Sequence, residues 1–272
     1  MKILAFDTST ESLSIAVGQR HGTAWTVHEH TGAGGARASA ELIPQALRLL
    51  REARLSLAEL DAIAFGAGPG SFTGLRTACS VAQGLAFGTG GGVEGEPALR
   101  VLPVSTLMAV AEDARQRHGA TRVLTLLDAR MDEVYAAAYE HADGRWHERS
   151  APALMRPEAV MAPGTVPQAM QGTQPAATAG GDPGSGWALA GNARDTYAGR
   201  WSQAAQALPH HAATPTAAAM LRLAPALIDA GFAVRPEHAM PVYIRDKVAQ
   251  TTEERAAAKA AATGVALPPT AT

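Results

Sequence analysis

The stretch Gly66-Ala67-Gly68-Pro69-Gly70-Ser71-Phe72-Thr73-Gly74-Leu75-Arg76 sets two hydroxyls and a guanidinium among four glycines and a proline. Lacking a Cβ, glycine lets backbone N–H groups turn toward a bound group. A loop of this kind feeding a helix N-terminus suits a phosphate, a carboxylate or a closely docked backbone. It fits neither common nucleotide fingerprint. No Lys-Ser or Lys-Thr follows Gly74, and the spacing Gly68-x-Gly70-x-x-x-Gly74 is one residue too long for the dinucleotide pattern. The structural alternative is a turn that packs a helix against a sheet. Ser71 or Thr73 would act as a nucleophile only with a base nearby in space, and the sequence context supplies none. Arg76 falls on the first helical turn, where the helix dipole disfavours a cation. It is either aimed at a partner or an acidic residue, or engaged in a surface salt bridge of little worth.

Other chemistry-bearing residues are sparse. Nine histidines include no His-x-x-x-His and no His-Glu-x-x-His. His28 and His30 share a face of an expected strand, and His210-His211 are adjacent in a loop-like region, so no metal site is expected. Cys79 stands alone, which fits a reducing compartment, and within a helix it reads as a small apolar residue. Asp7 and Asp128 each end an apolar run before a turn of small residues, where a carboxylate can cap the turn by Asx-type hydrogen bonds.

These residues need elements to place them. Residues 3–6, 12–18 and 24–29 read as three strands joined by short turns, which suggests antiparallel pairing. A helix over 39–55 carries Leu42, Ile43, Ala46, Leu47, Leu50 and Ala53 on one broad face, with Pro44 in its first turn or at a kink. A strand over 61–65 leads into the Gly-rich loop, and a helix over 72–87, poor in charge, reads as buried on most sides. After a loop at 89–97 come a strand over 100–104 and a helix to about His118, capped by Ser105 or Thr106 and ended by Gly119. Strands follow at 123–127, 133–140 and 146–153. Residues 157–186, rich in Pro, Gly, Ala and Thr, read as a weakly structured insert. Beyond them, 187–191 reads as a strand, 216–230 as a helix and 241–245 as a short strand. The Ala/Thr-rich residues 250–272 read as a disordered tail. No internal sequence repeat is visible, although the strand–hairpin pattern near Val123 faintly echoes the one near residue 1.

The 272 residues allow two modest domains, and 47% apolar with 18% charged residues allows a real core. A formal net charge of −2 does not draw the chain to nucleic acid by its overall field. The opening apolar run, cut off at Asp7, is too short for a signal-peptide core, and no run of eighteen apolar residues suggests a membrane span. The expectation is a cytoplasmic protein without a membrane segment.

Five ordered blocks carry a resemblance. They are Ile3-Leu4-Ala5-Phe6-Asp7-Thr8-Ser9-Thr10-Glu11, the Gly68–Arg76 signature, Val104-Ser105-Thr106-Leu107, Asp128-Ala129-Arg130-Met131-Asp132-Glu133-Val134-Tyr135 and Pro241-Val242-Tyr243-Ile244-Arg245. Together they resemble the TsaB (YeaZ) family, a subunit needed to make threonylcarbamoyladenosine next to the anticodon of certain tRNAs. The resemblance covers roughly residues 1–150 and 241–248.

It implies an α/β, actin/hexokinase/Hsp70-like (ASKHA) two-lobe fold with mixed sheets and flanking helices. The lobes would be 1–104 and 105–249, with the tail at 250–272. It implies a non-catalytic subunit that binds and activates TsaD, the transferase, with the ATPase TsaE joining the assembly and tRNA engaged only within the complex. The docking surface would comprise Leu42, Ile43, Ala46, Leu47 and Leu50, with Gly70, Ser71, Phe72, Thr73 and Arg76. Alone, the same helix face would make a homodimer. The polar lead-in Arg37-Ala38-Ser39-Ala40-Glu41 departs from the His-Ser/Thr-Gln stretch of many members. In kinases of this fold, positions like Asp7 and Asp128 hold metal–phosphate contacts, so Asp7, Thr8 and Asp128 are candidates for a degenerate nucleotide site. No cofactor would be required by the lone subunit, with ATP or ADP at a subunit interface as the expected place for one. A small-molecule phosphotransferase of the same fold is the alternative, and a glycoprotease-like peptidase a more distant one.

Overall fold

Apolar residues alternate along the first strand and bury both of its faces. In the computed structural model, which describes residues 1–89, 99–164 and 186–245, β1 (Lys2–Asp7) sends Leu4 and Phe6 to one side and Ile3 and Ala5 to the other. This is the two-residue period of a strand. β1 pairs antiparallel with β2 (Ser12–His21), which pairs antiparallel with β3 (Ala24–Ala33). On its other edge β1 pairs parallel with β4 (Ala62–Gly68), and β4 with β5 (Arg100–Ser105). The sheet order is β3-β2-β1-β4-β5.

A second sheet repeats that topology. β6 (Arg122–Arg130), β7 (Glu133–Ala142) and β8 (Arg145–Met155) form the antiparallel meander. β9 (Trp187–Gly191) and β10 (His210–His211) add in parallel, giving β8-β7-β6-β9-β10. The faint echo near Val123 is thus a full structural repeat, and the fold is the expected two-lobe α/β arrangement with mixed sheets.

The helices cover the faces. In the first lobe α1 (Ala36–Glu52) and α2 (Phe72–Phe87) pack on the side of Leu4 and Phe6. In the second, α4 (Ala193–Thr196) and α5 (Gln203–Gln206) pack with Trp187 and Leu189. The helices that follow each fifth strand cross over. α3 (Thr106–His118) packs on the second sheet, against Val123, Leu127 and Tyr139. α6 (Ala217–Asp229) packs on the first, against Ile3, Ala5 and Leu102. The first sheet ends with β5 at Ser105 and the second begins with β6 at Arg122, with α3 between them. Fully buried side chains such as Phe6, Leu42 and Phe65 each stabilise the fold by about 1.5–3 kcal/mol.

Several local expectations need correction. α2 is buried on one side only, through Leu75, Ala78, Cys79, Ala82 and Ala86, while Thr73, Arg76 and Phe87 are exposed. Its small residues permit close approach on that side rather than burial all round. Residues 241–245 are extended but form no strand. One backbone bond, from Val242 N–H to the Ala67 carbonyl, ties them to the first sheet. α1 begins at Ala36 and carries Pro44 in its interior. Residues 90–97 of the loop, 165–185 of the insert and the whole tail 250–272 lie outside the described residues.

Candidate functional site

The two lobes face one another across a cleft of about 420 Å³. The first lobe contributes Ser9, Gly70, Ser71 and Phe72, and the second Asp128, Arg130, Tyr135 and Asn192. The extended segment Val242–Arg245 completes the wall.

The Gly-rich loop is shaped by the turn that follows β1. A Cβ on Gly66 would fall 1.8 Å from Asp7 Oδ2, and one on Gly74 would fall 1.9 Å from the Thr8 carbonyl oxygen. Gly70 lies against Ser9 in the same way. The glycines therefore admit the chain's own N-terminal turn. Thr8 Oγ1 donates to the Gly74 carbonyl at 2.7 Å, and Ser71 N–H donates to the Ser9 carbonyl at 2.8 Å. Ser71 caps α2 by accepting from Gly74 N–H, a bond whose loss costs about 1 kcal/mol.

Asp7 ends β1, Asp128 lies two residues before the end of β6, and each accepts from the backbone N–H two residues on. Ser9 N–H donates to Asp7 Oδ1 at 3.0 Å, and Arg130 N–H donates to Asp128 Oδ1 at 2.8 Å. Their surroundings differ. Asp7 and Thr8 are each 1% exposed, enclosed by the Gly-rich loop, so neither opens to the cleft. Of Asp7, Thr8 and Asp128, the residues expected at a degenerate nucleotide site, only Asp128 lines the cleft. Asp7 Oδ2 has no hydrogen-bond partner. Burial pushes the Asp7 carboxyl up to about 7, although the Ser9 hydroxyl and N–H pull it down. Asp128 does line the cleft, but its carboxylate is engaged. It accepts from the Tyr197 hydroxyl at 2.7 Å and lies 3.3 Å from the Arg130 guanidinium. Burial first, and then the Asp128 carboxylate, push the Tyr197 hydroxyl up to about 12, so it stays a donor near neutral pH.

The helix face expected to dock a partner divides in two. Leu42, Ala46 and Leu50 point into the first-lobe core. Ile43 and Leu47, on the shoulder of α1, are 40% and 39% exposed. The correction follows from geometry. One stripe of α1 must cover β2 and β3, and only its neighbour is free. Among the described residues Arg76 pairs with no acid. Its guanidinium lies 3.8 Å from the centre of the Phe72 ring, and its Nε donates to the Tyr243 hydroxyl at 3.1 Å. Phe72 also contacts the Tyr243 ring, at 5.1 Å between centres.

Some residues of the site were not singled out by pattern. Arg130, Tyr135, Asn192, Tyr243 and Arg245 converge from distant positions. The available signal was the pair of blocks 128–135 and 241–245, which the fold brings together. Histidines do not converge in this way. His28 and His30 lie on β3, and the His211 ring stacks on that of His118 at 4.3 Å. Among the described residues no group of three metal-ligating side chains occurs. No described helix is long and apolar enough to cross a membrane.

Residues 30–253 match the family model TsaD, tRNA N6-adenosine threonylcarbamoyltransferase. The tRNA threonylcarbamoyladenosine biosynthesis protein TsaB of Escherichia coli is 35% identical over 254 residues, covering 92% of this chain and 96% of the relative. The protein of that name from Haemophilus influenzae is 40% identical over 139 residues, 50% of this chain and 52% of the relative. The structure is similar to that of YeaZ from Pseudomonas aeruginosa, with a TM-score of 0.71 and 35% identity over 89% of this chain and 99% of that one.

Proposed function

The chain belongs to the TsaB (YeaZ) family, and from that premise we propose that it is a non-catalytic subunit for threonylcarbamoyladenosine formation on tRNA. It binds TsaD, the subunit that performs the transfer, and TsaE joins the assembly. Its contribution is to hold TsaD in its active shape, with tRNA engaged by the complex and not by this chain alone.

The observation that carries the reading is the pairing of an enclosed acid with an exposed apolar shoulder. Asp7, which a phosphotransferase of this architecture would turn toward a nucleotide, is sealed beneath the Gly-rich loop. Ile43 and Leu47 stand exposed on a helix whose other stripe is already used by the core. An exposed aliphatic pair on one helix shoulder suits the anchor of a helix–helix interface. In the absence of TsaD the same shoulder would pair two copies of the chain about a two-fold axis. If a nucleotide joins the assembly, Asp128 is the acid placed to meet it, at the cleft.

Isothermal titration of TsaD with this chain tests the docking surface. Leu47→Glu places a carboxylate in the proposed contact and is expected to weaken binding at least a hundredfold, while circular dichroism and melting stay as in the wild type. Undiminished binding by a folded Leu47→Glu protein would remove α1 from the interface.

A further inference from the structure

We propose that residues 240–245 are a latch across the cleft between the lobes, with Arg245 as the pin that holds it shut. The segment leaves the first-lobe core at Ala239, whose carbonyl accepts from Gln83 Nε2 at 3.1 Å. It then crosses directly over the Gly-rich loop. Val242 N–H donates to the Ala67 carbonyl at 2.7 Å, and the Val242 carbonyl oxygen lies 2.4 Å from where a Cβ on Gly68 would stand. Tyr243 rests on Phe72 and accepts from Arg76. All of these grips are on the first lobe.

Arg245 grips the second. Its Nη1 lies 2.8 Å from the Glu133 carboxylate. Its Nη2 donates to the carbonyls of Ala129 at 3.0 Å and Arg130 at 3.3 Å. The side chain is only 11% exposed. Those two carbonyls are the last of β6, where the chain enters its turn into β7 and Arg130, Met131 and Asp132 take left-handed φ of 62°, 55° and 61°. Such φ is costly for L-residues and persists only where the surroundings hold it. The planar guanidinium reaches a carboxylate and two carbonyls at once, which a lysine ammonium on a flexible stem does not reproduce. The latch thus ties the lobes together and steadies the end of β6, next to Asp128.

The grip is of a releasable kind. Among the described residues, one backbone bond ties the segment to the first sheet, and no strand pairing reinforces it. Met240, Val242 and Tyr243 are 64%, 54% and 45% exposed, so little apolar surface is sealed beneath them. Because Val242, Tyr243, Ile244 and Arg245 wall the cleft, their release would widen it. The lobes would stay joined through α3 and α6, where Arg222 Nε donates to Glu112 at 3.0 Å. The inference does not depend on how the chain meets its partners.

Spin labels on cysteines introduced by Thr73→Cys and Thr196→Cys, one on each lobe, would report the lobe separation by pulsed electron resonance in the isolated chain. Both positions are exposed, and the native Cys79 is buried. Arg245→Ala is expected to lengthen and broaden the distance distribution and to speed hydrogen exchange at Val242 N–H at least tenfold. Arg245→Lys should give an intermediate response. Should Arg245→Ala fail to fold, Glu133→Gln, which leaves the carbonyl contacts in place, is expected to shift both readouts in the same direction. A distance distribution unchanged in the folded variant would overturn the latch, whether or not the Val242 amide exchanges faster.

Discussion

At the scale of single residues, Asp7 carries a definite expectation. Its folded carboxyl titrates near 7 against an ordinary 3.8, because burial outweighs the two bonds from Ser9. Between those values the folded state binds a proton that the unfolded chain has lost. The stability linked to this group is full below the lower value, falls as pH rises and is lost above the upper one. The gap corresponds to on the order of 4 kcal/mol. Asp7→Asn removes the titration, so its stability should fall less than that of the wild type between pH 5 and pH 8. Urea denaturation across that range measures the difference, and parallel curves would refute the assignment. The sequence placed Asp7 at a turn after an apolar strand, and it does make that turn. What the sequence could not show was the enclosure, because Gly66 and Gly74 close on residues sixty positions away. The same glycines read equally as a ligand cradle or as packing until the opposing atoms were known.

At the scale of elements, α1 shows what a helical period reveals and what it leaves out. The pattern of Leu42, Ile43, Ala46, Leu47, Leu50 and Ala53 located the helix, and all but Ala53, its C-cap, lie within Ala36–Glu52. A broad apolar face does not say which edge meets the core. Here Leu42, Ala46 and Leu50 do, and Ile43 and Leu47 flank them. The consequence is a clean separation between stability and docking. Leu42→Ala should destabilise the fold by about 2–5 kcal/mol, since it empties a fully buried site. Leu47→Glu should change stability by only about 0.5 kcal/mol. Chemical denaturation of both variants checks this, and equal losses would place Leu47 in the core. Strand limits came out close around the Asp143-Gly144 turn, but β2, β4 and β6 run on past Gly18, Phe65 and Leu127, and 241–245 forms no strand. There the run Val242-Tyr243-Ile244 has strand composition, but it crosses a cleft instead of joining a sheet edge. β10, only His210–His211, is too short to leave a pattern.

At the scale of the whole molecule, two lobes share one topology without a visible sequence repeat. Strand order and register depend on period, turns and crossovers, and many sequences satisfy them. What joins the lobes was not legible, because it rests on contacts of long sequence separation. α3 and α6 exchange sheets, and Glu112 gathers them. Burial alone would raise the Glu112 carboxyl, yet bonds from Arg115 and Trp146 and the Arg222 charge hold it below the ordinary carboxylate range. The result is a scaffold with a settled interior, a cleft between its halves and a free apolar shoulder on one lobe. We propose that this scaffold serves TsaD. The most direct measurement is reconstitution of tRNA threonylcarbamoylation from purified TsaD, TsaE and the adenylate-forming enzyme, given tRNA, threonine, bicarbonate and ATP, with and without this chain. Modified adenosine is expected only when the chain is present, and Leu47→Glu is expected to abolish it while still folded. Modification at the same rate without the chain would contradict the account.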